Sequence, residues 1–266
     1  MKKIIVVTGA SSGMGKEFLI QIMEKEQDID EIWAIARREE RLLELKKEYG
    51  KKIIPFKLDL TKEEDLNKYK EKLKKEKPNI IILANCAGFG IFDHSENIST
   101  DIKLNMIDLN VKAPVALIDY SLPYMPENSK IMNIASCAGF QPIPYINDYA
   151  ATKSFLLSYS RALNKELKYK NIHVLAVTPY WTKTEFFDRA IDENKKKTVI
   201  NYNAMYDPKK VMKKAIKDLY SNKDISCFGG MNRFQKALTK ILPHSLVMKV
   251  WMNQQKLDGT PGIRNK

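Results

Sequence analysis

Tyr149 and Lys153 stand four residues apart, and Ser136 lies thirteen residues upstream of the tyrosine. Residues four apart share one face of an α-helix, so both side chains can point into one pocket. A lysine ammonium beside a phenol favours the phenolate and draws the tyrosine pKa down from about 10. A tyrosine tuned in this way gives or takes a proton near neutral pH. A serine hydroxyl brought alongside holds a substrate oxygen. The pair alone also fits an ordinary helix surface, so the elements around it must decide its role.

Those elements alternate along the chain. Apolar runs predict strands near 3–7, 31–36, 52–58, 79–84, 130–135 and 172–178. Helical patterns fall near 14–26, 39–49, 62–76, 101–124, 148–169 and 208–221. Several strands are continuous apolar runs, such as Ile80 to Ala84, which suits burial on both faces. Such alternation predicts an α/β fold with a doubly wound parallel sheet. The pattern loosens after Pro179, and residues 180–206 read as a substrate loop or lid. Helical periodicity returns over 231–256 around Pro243.

The first strand runs directly into Thr8-Gly9-Ala10-Ser11-Ser12-Gly13-Met14-Gly15, which opens the first helix. Glycines here let the backbone approach a pyrophosphate, and the helix N-terminus offers N–H donors. A tight β–α turn without a ligand is the bland alternative. The second strand ends at Ala36-Arg37-Arg38, with no acidic residue to bind a ribose 2′-hydroxyl. Arginine forks match a phosphate in bidentate fashion, so the 2′-phosphate of NADP(H) is the expected partner, with NAD(H) the alternative.

The chain has 266 residues, with 44% hydrophobic and 9% aromatic, enough for a substantial core. No apolar stretch reaches the ~18 residues of a transmembrane helix. The segment from Met1 to Gly9 is expected to be a first strand, not a signal peptide. Cys86, Cys137 and Cys227, with His94, His173 and His244, have no metal-ligand spacing. A reducing cytoplasm and the absence of a metal are therefore expected. Cys137 adjoins Ser136, so its alkylation is expected to block the site. The formal charge of +13 sits mostly on amphipathic helices, and no nucleic-acid motif accompanies it.

Together these motifs resemble the short-chain dehydrogenase/reductase family. The turn from Thr8 to Gly15 is similar to its Thr-Gly-x-x-x-Gly-x-Gly pattern, and Asp59-Leu60 to its adenine-side element. Asn85-Cys86-Ala87-Gly88 resembles its Asn-Asn-Ala-Gly, and Asn110, Ser136, Tyr149 and Lys153 match four catalytic positions in order and spacing. The resemblance covers about residues 3–185. It implies one Rossmann-like domain over 1–266, with a cofactor and catalytic core over 1–179 and a C-terminal helical extension over 231–266.

The resemblance also implies hydride transfer between a nicotinamide and a ketone or secondary alcohol. Tyr149 would be the acid or base, Lys153 would lower its pKa and bind the nicotinamide ribose, and Asn110 would anchor a water relay. Gly9, Ser11, Ser12, Met14, Gly15, Arg37, Arg38, Asp59, Leu60, Asn85, Ala87, Tyr149, Lys153, Pro179, Thr182 and Thr184 would surround the cofactor. One departure is Pro179-Tyr180, where the family often has Pro-Gly. Homodimers or homotetramers are implied, through helices at 101–124 and 148–169.

Aromatics at Phe140, Tyr145, Tyr180, Trp181, Phe186 and Phe187 suit a bulky apolar substrate, steroid-like or lipid-like. A β-ketoacyl carrier-protein reductase and a non-catalytic nucleotide-binding scaffold remain as alternatives. The basic helices at 231–256 could cover the cleft, a subunit interface or an anionic membrane surface.

Overall fold

The computed structural model describes residues 1–190 and 198–259. Seven strands form one sheet: β1 (Lys3–Thr8), β2 (Glu31–Ala36), β3 (Ile53–Lys57), β4 (Asn79–Asn85), β5 (Lys130–Ile134), β6 (His173–Val177) and β7 (Ile225–Ser226). Their order is β3-β2-β1-β4-β5-β6-β7, and every pairing is parallel. The described helices are α1 (Gly13–Lys25), α2 (Glu39–Tyr49), α3 (Glu63–Glu76), α4 (Thr100–Ile107), α5 (Ala113–Ser121), α6 (Asn147–Glu166), α7 (Phe186–Ala190), α8 (Pro208–Tyr220), α9 (Gly230–Ile241) and α10 (His244–Gln255).

Strand side chains alternate between two cores, as the period of two requires. Ile5, Val7, Ile32, Ala34, Met132 and Leu175 face Phe18 and Leu19 of α1 and Met212 and Leu219 of α8. Ile4, Val6, Trp33, Ile35, Ile131 and Val174 face Leu66 and Tyr69 of α3, Leu117 of α5 and Leu163 of α6. Both faces are covered, which is why the strands read as unbroken apolar runs. The sheet order reverses between β1 and β4, so a crevice opens at the carboxyl ends of these strands.

The six expected strands are present, and β7 adds a seventh too short to leave a periodic signal. The helix expected over 101–124 is divided into four consecutive segments. A π-helical turn spans Asp108–Lys112 between α4 and α5, and a 3₁₀ turn closes at Leu122–Tyr124. Pro114 supplies the reason for the first break. Its ring has no N–H to offer the carbonyl of Asn110 and collides with it in a regular α-helix, so the turn widens. The wide turn leaves Asn110 fully buried against the site.

Residues 180–206 contain more structure than their irregular pattern suggests. Thr182 bridges to Tyr206, and α7 lies between. Gln255 at the end of α10 ties residues 200 and 201 down, accepting from both backbone N–H groups at 3.0 and 2.9 Å. Parts of the substrate loop (191–197) and of the C-terminal extension (260–266) lie outside the described residues.

Candidate active site

Ser136 follows β5 in extended backbone, and its hydroxyl accepts from the Ala138 N–H at 3.1 Å. Tyr149 and Lys153 share one face of α6, as their spacing requires. The Lys153 ammonium lies 5.7 Å from the centre of the Tyr149 ring and donates to the Ile134 carbonyl at 2.8 Å. Ser136 and Tyr149 line a common cavity of about 180 Å³.

Burial dominates the electrostatics of this pair. Burial pushes the Tyr149 pKa above its ordinary value, and hydrogen bonding with Ser136 opposes this only in part. Burial also draws Lys153 down to about 8. The lysine is thus a weaker cation than its sequence neighbourhood suggests, and its ammonium is turned toward a backbone carbonyl. Burial is the largest influence on both groups.

The Asn110 side chain is bonded to two neighbouring segments. Its Oδ1 accepts from the Phe89 N–H at 3.1 Å, and its Nδ2 donates to the Phe89 carbonyl at 2.8 Å and to Thr152 Oγ1 at 3.1 Å. Thr152 passes the chain on, donating to the Tyr149 carbonyl at 2.7 Å. The amide has both N–H donors committed and one acceptor lone pair left. In this arrangement Asn110 clamps the segment after β4 to α6. Gly90 on that segment lies so close to Tyr149 that a Cβ would meet the ring at 2.7 Å. Phe92 and Phe186 complete the enclosure, with ring centres 6.1 and 5.4 Å from that of Tyr149.

The second cavity is a cleft of about 770 Å³ over the carboxyl ends of β1, β2 and β4. Gly9, Ser11, Ser12, Met14, Gly15, Arg37, Arg38, Asp59, Leu60, Ala87 and Thr184 line it, as expected from the sequence. The turn is closely built. Gly9 has φ +65°, and a Cβ on Gly15 would meet the Gly9 carbonyl oxygen at 2.3 Å. Thr8 was not foreseen; its hydroxyl accepts from the N–H groups of Cys86 and Ala87 at 3.0 and 3.1 Å and locks β1 to β4.

Asn85, Pro179 and Thr182 lie outside the cleft. Asn85 turns into the sheet and donates to Asn133 Oδ1 at 2.8 Å instead of lining the cleft. Pro179 and Thr182 line the smaller cavity, with the Pro179 carbonyl accepting from Cys137 N–H at 2.9 Å. Arg37 is exposed at the cleft edge, while Arg38 lies across the turn and donates to Ser11 and Ser12 hydroxyls at 3.2 and 2.8 Å. Arg41, one helical turn further on, lines the cleft too. Burial pushes the Cys86 and Cys137 thiols up to about 12, so neither is a ready nucleophile at neutral pH.

A dinucleotide fits this cleft on the structure's own terms. The glycine turn is a cradle that a side chain would fill. The Glu185 carboxylate already sits between the guanidinium groups of Arg38 and Arg41, which shows that their donor set takes an anion. Among the described residues no cluster of His, Cys, Asp or Glu could hold a metal ion, and no helix is long and apolar enough to cross a membrane.

Residues 3–195 match the short chain dehydrogenase family, and the chain belongs to it. An NADP-dependent 3-hydroxy acid dehydrogenase of Schizosaccharomyces pombe is 34% identical over 191 residues, covering 69% of this chain and 73% of that protein. A very-long-chain 3-oxoacyl-CoA reductase of Bos taurus is 30% identical over 192 residues, covering 68% of this chain and 59% of that protein. Among solved structures, a short-chain dehydrogenase from Sphingobium yanoikuyae in complex with NADPH superposes with a TM-score of 0.74 at 25% identity, covering 91% of this chain and 97% of that one. The protein is accordingly an oxidoreductase of the CH–OH and C=O class.

Proposed function

We propose that this chain is an NADP(H)-dependent reductase of a bulky apolar ketone, or a dehydrogenase of the matching secondary alcohol. The single observation that carries the reading is the junction of the two cavities. Ser136 and Tyr149 line the smaller one, the glycine turn lines the larger, and Met14, Thr184 and Phe186 line both. A bound nicotinamide supplies the hydride chemistry. Gly9, Ser12, Gly15, Arg38 and Arg41 would hold the cofactor's phosphates, and Asp59 and Leu60 its adenine side.

The protein's own groups do the rest. The Ser136 hydroxyl donates to the substrate carbonyl oxygen and fixes its position. Tyr149 gives its phenolic proton to that oxygen as negative charge develops there, and takes it back in the oxidative direction. Its raised pKa keeps the proton in place until the substrate arrives. Lys153, close to half-protonated near pH 8, replenishes the phenolic proton and would bind the nicotinamide ribose. Asn110, through Phe89 and Thr152, holds the two segments that carry these groups in register, with its remaining lone pair for the water of a proton relay.

The substrate side is apolar. Ile143, Ile146, Trp181, Leu238, Val247 and Trp251 line the small cavity, with Gln141 as a buried polar group among them. Helices α9 and α10 cover this cavity, which favours a long apolar chain over a carrier protein docked flat on the mouth. The very-long-chain 3-oxoacyl-CoA reductase among the relatives supports a long acyl substrate. Oxidation of NADPH should be screened with medium- and long-chain 3-oxo esters, steroid ketones and a 3-oxoacyl carrier protein. Long apolar ketones should give kcat/KM at least about tenfold above short ones, as a few buried methylenes provide. Highest activity on the carrier-protein substrate would move the assignment to the carrier-protein reductase reading.

Two surfaces support further parts of the proposal. Phe234, Ile241, Leu246 and Val250 are exposed on α9 and α10 beside Arg233, Lys236, Lys240 and Lys249, which fits peripheral contact with an anionic membrane. Ile102, Leu104 and Ile107 of α4 and Phe155 of α6 are exposed too, on the helices expected to join copies as a homodimer or homotetramer. Flotation on anionic vesicles should carry the wild type upward and leave the double variant Phe234→Ser, Ile241→Ser behind. Light scattering should report the same oligomer for both. Equal flotation of the two proteins would remove the membrane role.

A further inference from the structure

Glu185 lies in the substrate loop, 147 residues from Arg38 in sequence, yet its carboxylate reaches across the cofactor cleft. Oε2 accepts from Arg38 Nη1 at 2.8 Å, and Oε1 accepts from Arg41 Nη1 at 2.5 Å. One carboxylate thus spans two guanidinium groups, the geometry in which arginines hold a phosphate. Arg38 is at the same time anchored on the hydroxyls of Ser11 and Ser12, so its fork is held in place over the glycine turn. An anion that sits here occupies the corner of the cleft between that turn and the end of β2.

We infer that Glu185 is a built-in occupant of the 2′-phosphate seat, which the cofactor must displace, so that loading NADP(H) releases the segment around Glu185 from the cleft. The inference rests on the NADP(H) reading of Arg38 and Arg41. Magnitudes favour displacement. The two ion pairs are substantially exposed, with side-chain exposures of 39% and 38% for the arginines and 45% for Glu185. Exposed pairs of this kind are weak, whereas a phosphate brings nearly twice the charge and more acceptor oxygens to the same forks. The carboxylate is held below its ordinary pKa by its hydrogen bonds from Arg38 and Arg41.

The neighbours of Glu185 give the exchange a consequence. Thr184 abuts Gly13 on the glycine turn, at 3.3 Å from where a Cβ would stand. Phe186 packs on Tyr149 and Phe92 and lines both cavities. Moving Glu185 off the arginines therefore moves the two side chains that stand where the cofactor cleft meets the substrate cavity. A cofactor without a 2′-phosphate has less with which to displace the carboxylate. Glu185 would in this way sharpen the discrimination that Arg38 and Arg41 begin.

Calorimetric titration of wild type, Glu185→Gln and Glu185→Asp with adenosine 2′,5′-bisphosphate and with ADP tests this without any turnover. The carboxamide variant should bind the 2′-phosphorylated ligand about fivefold more tightly, as loss of two exposed pairs predicts, with ADP unchanged. The aspartate variant, which keeps the charge, should stay nearer to wild type. Unchanged or weaker binding of the bisphosphate by Glu185→Gln, in a wild type that prefers it over ADP, overturns the inference and leaves the cofactor reading standing. Equal affinity of the wild type for both ligands overturns the cofactor reading itself. Weaker ADP binding by Glu185→Gln overturns the inference in a different way, by making Glu185 an acceptor for the ribose hydroxyls.

Discussion

Tyr149→Phe should lose about a thousandfold or more in kcat on the best ketone, while binding NADPH with an affinity near that of the wild type. Removal of a positioned general acid has an effect of this order. The phenyl ring keeps the contacts of the tyrosine with Phe92 and Phe186, whose ring centres lie 6.1 and 5.4 Å away, so the enclosure survives. The phenol makes no backbone bond that the fold depends on, and thermal unfolding should shift by only a few degrees. Steady-state kinetics, a fluorescence titration of NADPH and a melting curve check the three parts together. A variant with more than about a tenth of wild-type kcat would contradict the assignment of the acid.

Arg38→Ala should weaken NADPH by about tenfold to a hundredfold and NADH by less than about threefold. Hydrogen bonds between charged groups are worth about 1.5–3 kcal/mol, which spans that range. Arg38 is the stronger choice for this test than Arg37. It is fixed by the Ser11 and Ser12 hydroxyls at 3.2 and 2.8 Å, whereas Arg37 is exposed at the edge of the cleft. Arg41→Ala should act in the same direction to a smaller degree, since Arg41 has no such anchor on the turn. Kd values for the two cofactors by fluorescence decide it. Equal losses for NADPH and NADH would remove the 2′-phosphate argument, and would leave the arginines as general electrostatic attraction.

Much of this architecture can be read from the residues because it is local. The glycine turn is written in eight consecutive positions, and the α6 pair follows from a spacing of four. The continuous apolar runs of β1, β4 and β6 declare a sheet covered on both sides. What escapes the sequence is set by tertiary contact. The widening at Asp108–Lys112 needs Pro114 to be considered against Asn110 within one helix. The clamp from Phe89 through Asn110 to Thr152 joins three segments far apart in the chain. Asn85 has the polar character expected of a cleft residue, yet Asn133 recruits it into the sheet, and the anchoring of Arg38 on two serine hydroxyls within the cleft is set by the fold of the turn. Glu185 carries no signal at all, since an acidic residue in an irregular loop looks solvated until Arg38 and Arg41 are found beside it.

The lysine shows the same division. Position and partner follow from sequence, but the sense of its influence on Tyr149 depends on how much water remains around both groups. Burial lowers Lys153 to about 8 and raises the tyrosine, so the two lie further apart in proton affinity than the free side chains do, with the proton held more tightly by Tyr149. The phenol therefore keeps its proton until the substrate oxygen takes it, and the Lys153 ammonium is acidic enough to restore it.

The most direct measurement follows a label. NADPH dideuterated at C4 of the nicotinamide is mixed with the best apolar ketone and the wild-type protein, and the alcohol is analysed by mass spectrometry. A site in which Tyr149 and Ser136 hold the carbonyl for hydride transfer predicts one deuterium on the carbinol carbon, with no labelled alcohol above background from Tyr149→Phe. Unlabelled alcohol from the wild type, or equal labelling by the variant, would contradict it.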